Sequence, residues 1–200
     1  FRPNPPELAE MFVREIGFAA LFAVTPDGPR VVHTPILLDD SASHIRFHVA
    51  RGNAAARHLD GATALAVVQG PDAYVSPSDY LSADQVPTWN YIAIEMEGPV
   101  RRLNDAATHD LLANLAAVQE SRAGISPPWT RNAVSPQLYD RLFQGIFGFE
   151  LHIQAWRPTF KLAQNKSAED RTAVASALEN RGHGALAQLM RHLGSDKPQP

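Results

Sequence analysis

The chain contains no cysteine, so disulfides, thiolate zinc sites and cysteine nucleophiles are excluded together. A cysteine-free chain fits a reducing compartment, and the cytoplasm is the expected location. No apolar run approaches the about 18 residues that a membrane-spanning helix needs, and no secretory leader is recognisable at the start. No membrane partner is expected. Surplus positive charge is lacking too: 18 basic against 21 acidic side chains leave a formal charge of −3. Proteins that grip DNA align a surplus of cations along one face, so direct DNA binding is not expected. The two common glycine-rich phosphate cradles, GxGxxG after a strand and GxxxxGK[ST], are missing. Eight histidines are present, but none form HExxH or a helical pair with a carboxylate, so no metal site is expected. A GxSxG elbow for a serine nucleophile is absent as well.

What the chain does have is length and one unusual stretch. Two hundred residues make one domain, or one domain with a small appendage, and chains of this size bury a sizeable core without staples. The stretch is Gln69 to Tyr91, QGPDAYVSPSDYLSADQVPTWNY, expected as a long connection between two strands. It carries Tyr74, Tyr80, Trp89 and Tyr91 beside Ser76, Ser78, Thr88 and Asn90. Long ordered loops with aromatic anchors shape binding sites. An Ω-loop whose aromatics only pack on the strands beneath is the other reading.

The rest reads mainly as strands. Pro5-Pro6 opens a short amphipathic helix stopped by Gly17. Phe18–Val24 and Arg30–Leu38 flank a turn at Thr25–Pro29 and form a hairpin. Ile45, Phe47 and Val49 alternate with Arg46 and His48, as a half-buried strand requires. A brief helix is expected over Asn53–Leu59, and a strand buried on both faces over Ala62–Val68. Tyr91 to Leu103 is a long alternating strand. Asn104 caps a helix carrying Leu111, Leu112, Leu115 and Val118. A proline-rich loop spans Ser126–Arg131, Ser135-Pro136 starts another helix, and Gly145–Ile153 is expected as the sixth and last strand. Ser167 caps the first of two closing helices divided by Gly182 and Gly184, and the tail 195–200 is expected to fray. Strands joined by hairpins, without regular βαβ alternation, predict an antiparallel barrel with peripheral helices.

Candidate chemistry gathers at His33-Thr34 on the second strand and at His48-Val49-Ala50-Arg51-Gly52-Asn53 after the third. If a helix starts at Asn53, its free N–H groups and dipole favour an anion there. The planar fork of Arg51 would meet two phosphate oxygens at once. Alternatively Arg51 makes a surface ion pair and Asn53 is only a cap. A phosphate seat with aromatic and amide-bearing loops suits a flat ring attached to a phosphate, and FMN is the foremost candidate.

FHVARGN, QGPDAYVSPSDY, VPTWNY and KLAQNK, in this order and spacing, resemble the PaiB family, described as FMN-binding negative transcriptional regulators. The likeness runs from Phe18 to Lys166. It implies a mainly β fold with peripheral helices (β+α), a split β-barrel of the pyridoxamine-phosphate-oxidase type, acting as a homodimer with FMN at the subunit interface. It further implies an FMN-binding domain over 1–166 and a helical appendage with tail over 167–200. By position, Arg51 and Asn53 would meet the phosphate, with His48 at the same junction and His33 and Thr34 near the ring or ribityl chain. Ser76, Trp89, Asn90 and Tyr91 would come from the loop, and Lys161, Gln164 and Asn165 would add a polar wall. The KLAQNK segment also reads simply as a helix turn with solvated ends. Two departures stand out: Asp79 replaces an aromatic that relatives often carry after SPS, and GNAAARHL lacks their usual proline and aromatic.

The resemblance implies a flavin-binding regulator. The residues leave room for a flavin-dependent oxidoreductase acting on a small substrate or oxygen, or for a flavin carrier. His33 or Tyr80 would be its acid or base.

Overall fold

The alternating apolar runs become seven strands and five helices in a computed structural model that describes residues 6–193. The expectation for the tail 195–200 lies outside the described residues. Helix α1 (Pro6–Ile16) ends at Gly17, whose φ of 58° is the left-handed stop glycine supplies cheaply. β1 (Phe18–Thr25) and β2 (Gly28–Leu38) pair antiparallel in register from Phe18↔Pro35 to Thr25↔Gly28, so the hairpin turn is tighter than the five residues expected. β3 (His44–Ala50) pairs β2 through Ile36↔Phe47 and pairs the later strand β6 from His44↔His152 to Ala50↔Ile146.

Several expectations need correction. Residues 53–59 form successive tight turns, not a helix. The Asn53 side-chain carbonyl accepts from the Ala55 N–H at 2.9 Å, and i→i+3 bonds follow at Ala56 and His58. Such bonds close turns without propagating a helix. β4 (Thr63–Val75) alternates, burying Ala64, Ala66 and Val68 and leaving Leu65 and Val67 half-buried, so it is not buried on both faces. It also runs through Gly70-Pro71. β5 (Thr88–Arg102) begins earlier than expected, which shortens the loop to residues 76–87. After α2 (Asp105–Arg122), α3 (Pro136–Phe143) and β6 (Ile146–His152) there is a seventh strand, β7 (Ala155–Lys161), where six had been expected. Helices α4 (Ala168–Asn180) and α5 (Gly184–Leu193) close the chain. The caps follow the sequence: Asn104, Ser135 and Ser167 accept from backbone N–H groups at the starts of α2, α3 and α4.

The strands are hydrogen-bonded in the order β4-β1-β2-β3-β6-β5-β7, and β4 also pairs β5. Contacts divide the chain into two units. The first takes 10–68 and 95–157; the second takes 69–94 and 158–193, with 6–9. In the first, the core is strand-borne: Leu21, Ile45, Phe47, Phe149 and Leu151 are fully buried, and the Phe47 and Phe149 rings stack at 5.7 Å. A Cβ at Gly148 would lie 2.4 Å from Thr108 Oγ1, so glycine is what lets α2 close on β6. In the second, Phe160, Leu162, Val174, Leu178 and Met190 form the buried set, with Ile92 and Ile94 from β5. Among the described residues no helix is long and apolar enough to cross a membrane.

Candidate functional site

The predicted residues fall into two groups, one in each unit. In the first unit, Thr34 is buried and donates from its hydroxyl to His48 O at 2.8 Å, tying β2 to β3. His33, the next residue back, points to the exposed face. His48 is half-buried, and its Nδ1 is buried without a hydrogen-bond partner. Burial holds its pKa below the usual histidine value, so the ring is neutral near pH 7. A buried ring nitrogen left unpaired is unusual enough to mark a place where something else binds.

Arg51 has lost the helix expected beside it but gained a neighbour. Its Nε donates to Ile146 O at 3.0 Å, and its guanidinium lies 4.5 Å from the centroid of the Phe147 ring. Arg102, from the end of β5, lies over the same ring at 3.7 Å. Among the described residues neither guanidinium is in an ion pair. The contrast with the next arginines is direct: Arg46 and Arg101 both clasp the buried Glu150 carboxylate, at 2.8 and 2.9 Å. Burial pushes the Glu150 carboxyl up, but hydrogen bonds from the two arginines and the Arg46 charge outweigh it and hold it below its usual value. Arg51 and Arg102 therefore keep guanidinium donors free of carboxylate partners, held by an aromatic plate. Sequence reading missed Arg102 because only strand register brings it to Phe147; its direct partner in β6 is Phe149. Asn53 spends its side-chain oxygen on the Ala55 N–H within a turn, with no helix there for it to cap.

In the second unit, Ser76 and Asp79 form a capping box around a single 3-10 turn at Pro77–Asp79. The Ser76 N–H donates to Asp79 Oδ2 at 2.9 Å, and Ser76 Oγ accepts from the Ser78 N–H. Arg181, at the end of α4, grips the same carboxylate with two bonds of 3.1 and 2.7 Å. Asp79 is thus the clasp of the loop. Two residues past Asp79 the chain is held again: Asp170 accepts from the N–H groups of Leu81 and Ser82 and from the Ser82 hydroxyl at 2.6 Å. The serine and backbone donors hold its carboxyl below the usual range. The pattern S-x-x-D was visible in the sequence; its partner Arg181, 102 residues on, was not.

Beside this clasp is a pocket of about 170 Å³. Asn90 and Lys161 line it, as does Asn165. Asn90 is 1% exposed, and its amide donates to the Met190 thioether at 3.4 Å, a weak acceptor. Lys161 Nζ donates to Thr88 Oγ1 at 2.6 Å. Gln164 turns away: its side chain accepts from the Leu162 N–H and donates to Phe160 O, stitching the turn after β7. That turn holds Ala163 at φ 60°, a left-handed conformation that costs a non-glycine residue about 1–2 kcal/mol. Tyr80, which also lines the pocket, is buried; that burial and the Asp170 and Asp79 charges push its phenol pKa up, so it remains a donor near neutrality. Trp89 stands 53% exposed, edge-on to Tyr74 at 6.2 Å, and Tyr91 is half-buried on β5.

Against known proteins, residues 1–155 match a family model described as "Putative FMN-binding domain". The Bacillus subtilis protein named protease synthase and sporulation protein PAI 2 is 31% identical over 190 residues, covering 93% of this chain and 89% of that protein. An uncharacterised protein of Emericella nidulans is 28% identical, covering 84% of this chain and 81% of its own. Among solved structures, a FAD and heme binding protein from Mycobacterium smegmatis aligns with a TM-score of 0.60 at 16% identity, over 86% of this chain and 78% of that one. A flavocytochrome from Azotobacter vinelandii gives 0.58 at 12%, over 78% and 67%. At such identities the structural likeness speaks for the fold, a split β-barrel. With the family match over three-quarters of its length and the relative in Bacillus, the chain belongs to the PaiB-like family of FMN-binding split-barrel domains.

Proposed function

We propose that this protein binds FMN as a homodimer and serves as a ligand-responsive regulator of the PaiB type. The observation that carries the reading is the pair Arg51 and Arg102 over Phe147, two guanidinium groups without carboxylate partners, on the same strand system as the unpartnered His48 Nδ1. They replace the helix dipole as the means of holding a phosphate. His33 and Thr34 on β2 and Asn53 in the turns after β3 are further candidates for that seat by their match to the family motifs. In the second unit, Ser76, Trp89 and Tyr91 are further candidate flavin contacts by their match to the family motifs, whereas Gln164 is spent on its own turn and Asn90, Lys161 and Asn165 line the pocket beside Tyr80. In this reading 1–166 is the cofactor-binding domain, and 167–200 supplies the helices that brace the loop through Asp170 and Arg181. Dimerisation is supported by the apolar side chains the loop region leaves exposed, Leu81 at 74% and Val86 at 72% beside Trp89. A bound flavin supplies electron transfer, while the protein supplies position and electrostatics.

The regulatory role rests on kinship with the Bacillus protein, whose name ties it to protease synthesis and sporulation. Regulation of this kind acts through ligand or partner, given the net charge of −3. A second reading, a flavin-dependent oxidoreductase, is favoured by the pocket beside Tyr80, which has room for a small substrate. FMN loading followed by desalting tests the common core. Retained flavin absorbance is the expected result, and a colourless protein that cannot be loaded refutes it. Turnover of a reduced nicotinamide without salt-sensitive DNA retention selects the second reading.

A further inference from the structure

The pocket at Tyr80 and Lys161 is cationic in a way the flavin's own phosphate does not require. Lys161 and Lys166 both line it, and each ammonium has a neutral partner: Thr88 Oγ1 for the first and Gln85 Oε1 for the second, both at 2.6 Å. Among the described residues neither lysine is in an ion pair, and no carboxylate lines the pocket. The acids close by are engaged by other donors at contact distance, although the Lys166 charge also helps hold the Asp170 carboxyl down. Asp170 takes two backbone N–H groups and a hydroxyl, and Asp79 takes the Arg181 fork.

The floor is built rather than incidental. Asn90 is nine-tenths buried and more, with only a thioether as acceptor for its amide. Ala163 holds its wall in a left-handed conformation that glycine adopts more readily, kept in place by the two Gln164 hydrogen bonds. Such outliers persist where the surroundings over-determine them, and they cluster at ligand sites. The remaining surface is apolar, from Tyr80 and Val86. At about 170 Å³ the space matches one small ring, since an engineered cavity of roughly 150 Å³ accepts benzene.

We propose that this pocket binds an acidic small molecule of about one ring in size. Its ring or short chain rests on Tyr80 and Val86, and its carboxylate or phosphate is received by Lys161, Lys166 and the Asn90 amide. The inference rests on the flavoprotein reading above, because it names the class of molecule such a flavoprotein would take. The flavin phosphate remains with Arg51 and Arg102.

The test uses FMN-loaded protein and fluorine NMR of 4-fluorobenzoate, 4-fluorophenyl phosphate and neutral 4-fluorobenzyl alcohol. Both acids should broaden and the alcohol should not. Lys161→Met and Lys166→Met should each weaken binding about tenfold or more, with rescue by Lys166→Arg and melting temperatures confirming folded protein. Tighter binding of the phosphate ester by tenfold assigns the ligand to phosphate esters, and equal binding assigns it to carboxylic acids. Equal broadening by the alcohol, or acid binding indifferent to both lysines, overturns the proposal. So does competition by free FMN together with loss of FMN retention in the lysine variants, which makes the pocket the flavin's own. Failure to load FMN while the acids still bind would sink the flavoprotein reading and leave the pocket standing.

Discussion

The face formed by β3 and β6 and the loop at 76–87 are both candidate binding surfaces, yet they are held by opposite means. The strand face is set by register and apolar packing: Ile45, Phe47 and Val49 point inward with Phe149 and Leu151 opposite them, while Arg46 and His48 alternate with them on β3 as half-buried residues. The loop has little apolar filling of its own. It is held by two carboxylates reached across about ninety or more residues of chain, Asp170 to Leu81 and Ser82, and Asp79 to Arg181. Packing fixes a surface cheaply and rigidly, whereas buried polar clasps fix one that fails when a single partner is lost.

The comparison is broken most severely at its packed end. Phe149→Ala removes a fully buried ring stacked on Phe47. It should cost about 3–5 kcal/mol in urea unfolding, a large share of a stability of roughly 5–15 kcal/mol, and abolish flavin retention with it. A loss below 1 kcal/mol would mean that the stack does not hold this face.

The clasp comes next. Asp79→Ala and Arg181→Ala should each cost about 1–3 kcal/mol, since charged hydrogen bonds are lost while Arg181 remains half-exposed to water. Their double variant should cost less than the sum. Amide hydrogen exchange should rise at 77–82 and stay unchanged along β3. Additive losses with no local change in exchange would reduce the clasp to a surface contact.

The smallest effect sharpens the strand face. Burial lowers the His48 pKa, so below about pH 6.5 the unfolded chain takes up a proton that the folded chain refuses. Stability must therefore fall as pH drops through that range and be complete above it. His48→Gln should make this part of the profile shallower, and an unchanged or steeper slope would contradict the burial of Nδ1.

How much of this was legible in the sequence follows the same division. The period-two alternation at Ile45–Val49 and the caps Asn104, Ser135 and Ser167 are local signals, and each became the element it implied. Gly70-Pro71 misled because both residues are turn formers. Here Gly70 is in a strand, and a Cβ on it would lie 2.9 Å from Ile92 Cβ, so the glycine serves close approach of strands. β7 was hidden by Pro158, which strands tolerate at an edge, and β7 ends the strand order. The alanines at 54–56 suggested a helix, but the Asn53 side chain closes the first turn and no propagating bond follows. At the candidate site, Arg51 was a candidate from its motif, while Arg102, Arg181 and Asp170 were not, because no spacing rule joins residues that only the sheet and the closing helices bring together.

The central claim is that the strand face, through Arg51 and Arg102, holds the FMN phosphate independently of the loop clasp. The direct measurement is FMN titration, followed by quenching of flavin fluorescence, for wild type, Arg51→Ala, Arg102→Ala and Asp79→Ala. Each arginine variant should weaken binding about 10- to 100-fold, the value of a charged hydrogen bond, with unchanged unfolding midpoints, and riboflavin, which lacks the phosphate, should bind all of them alike. Full-strength FMN binding by both arginine variants would contradict the account.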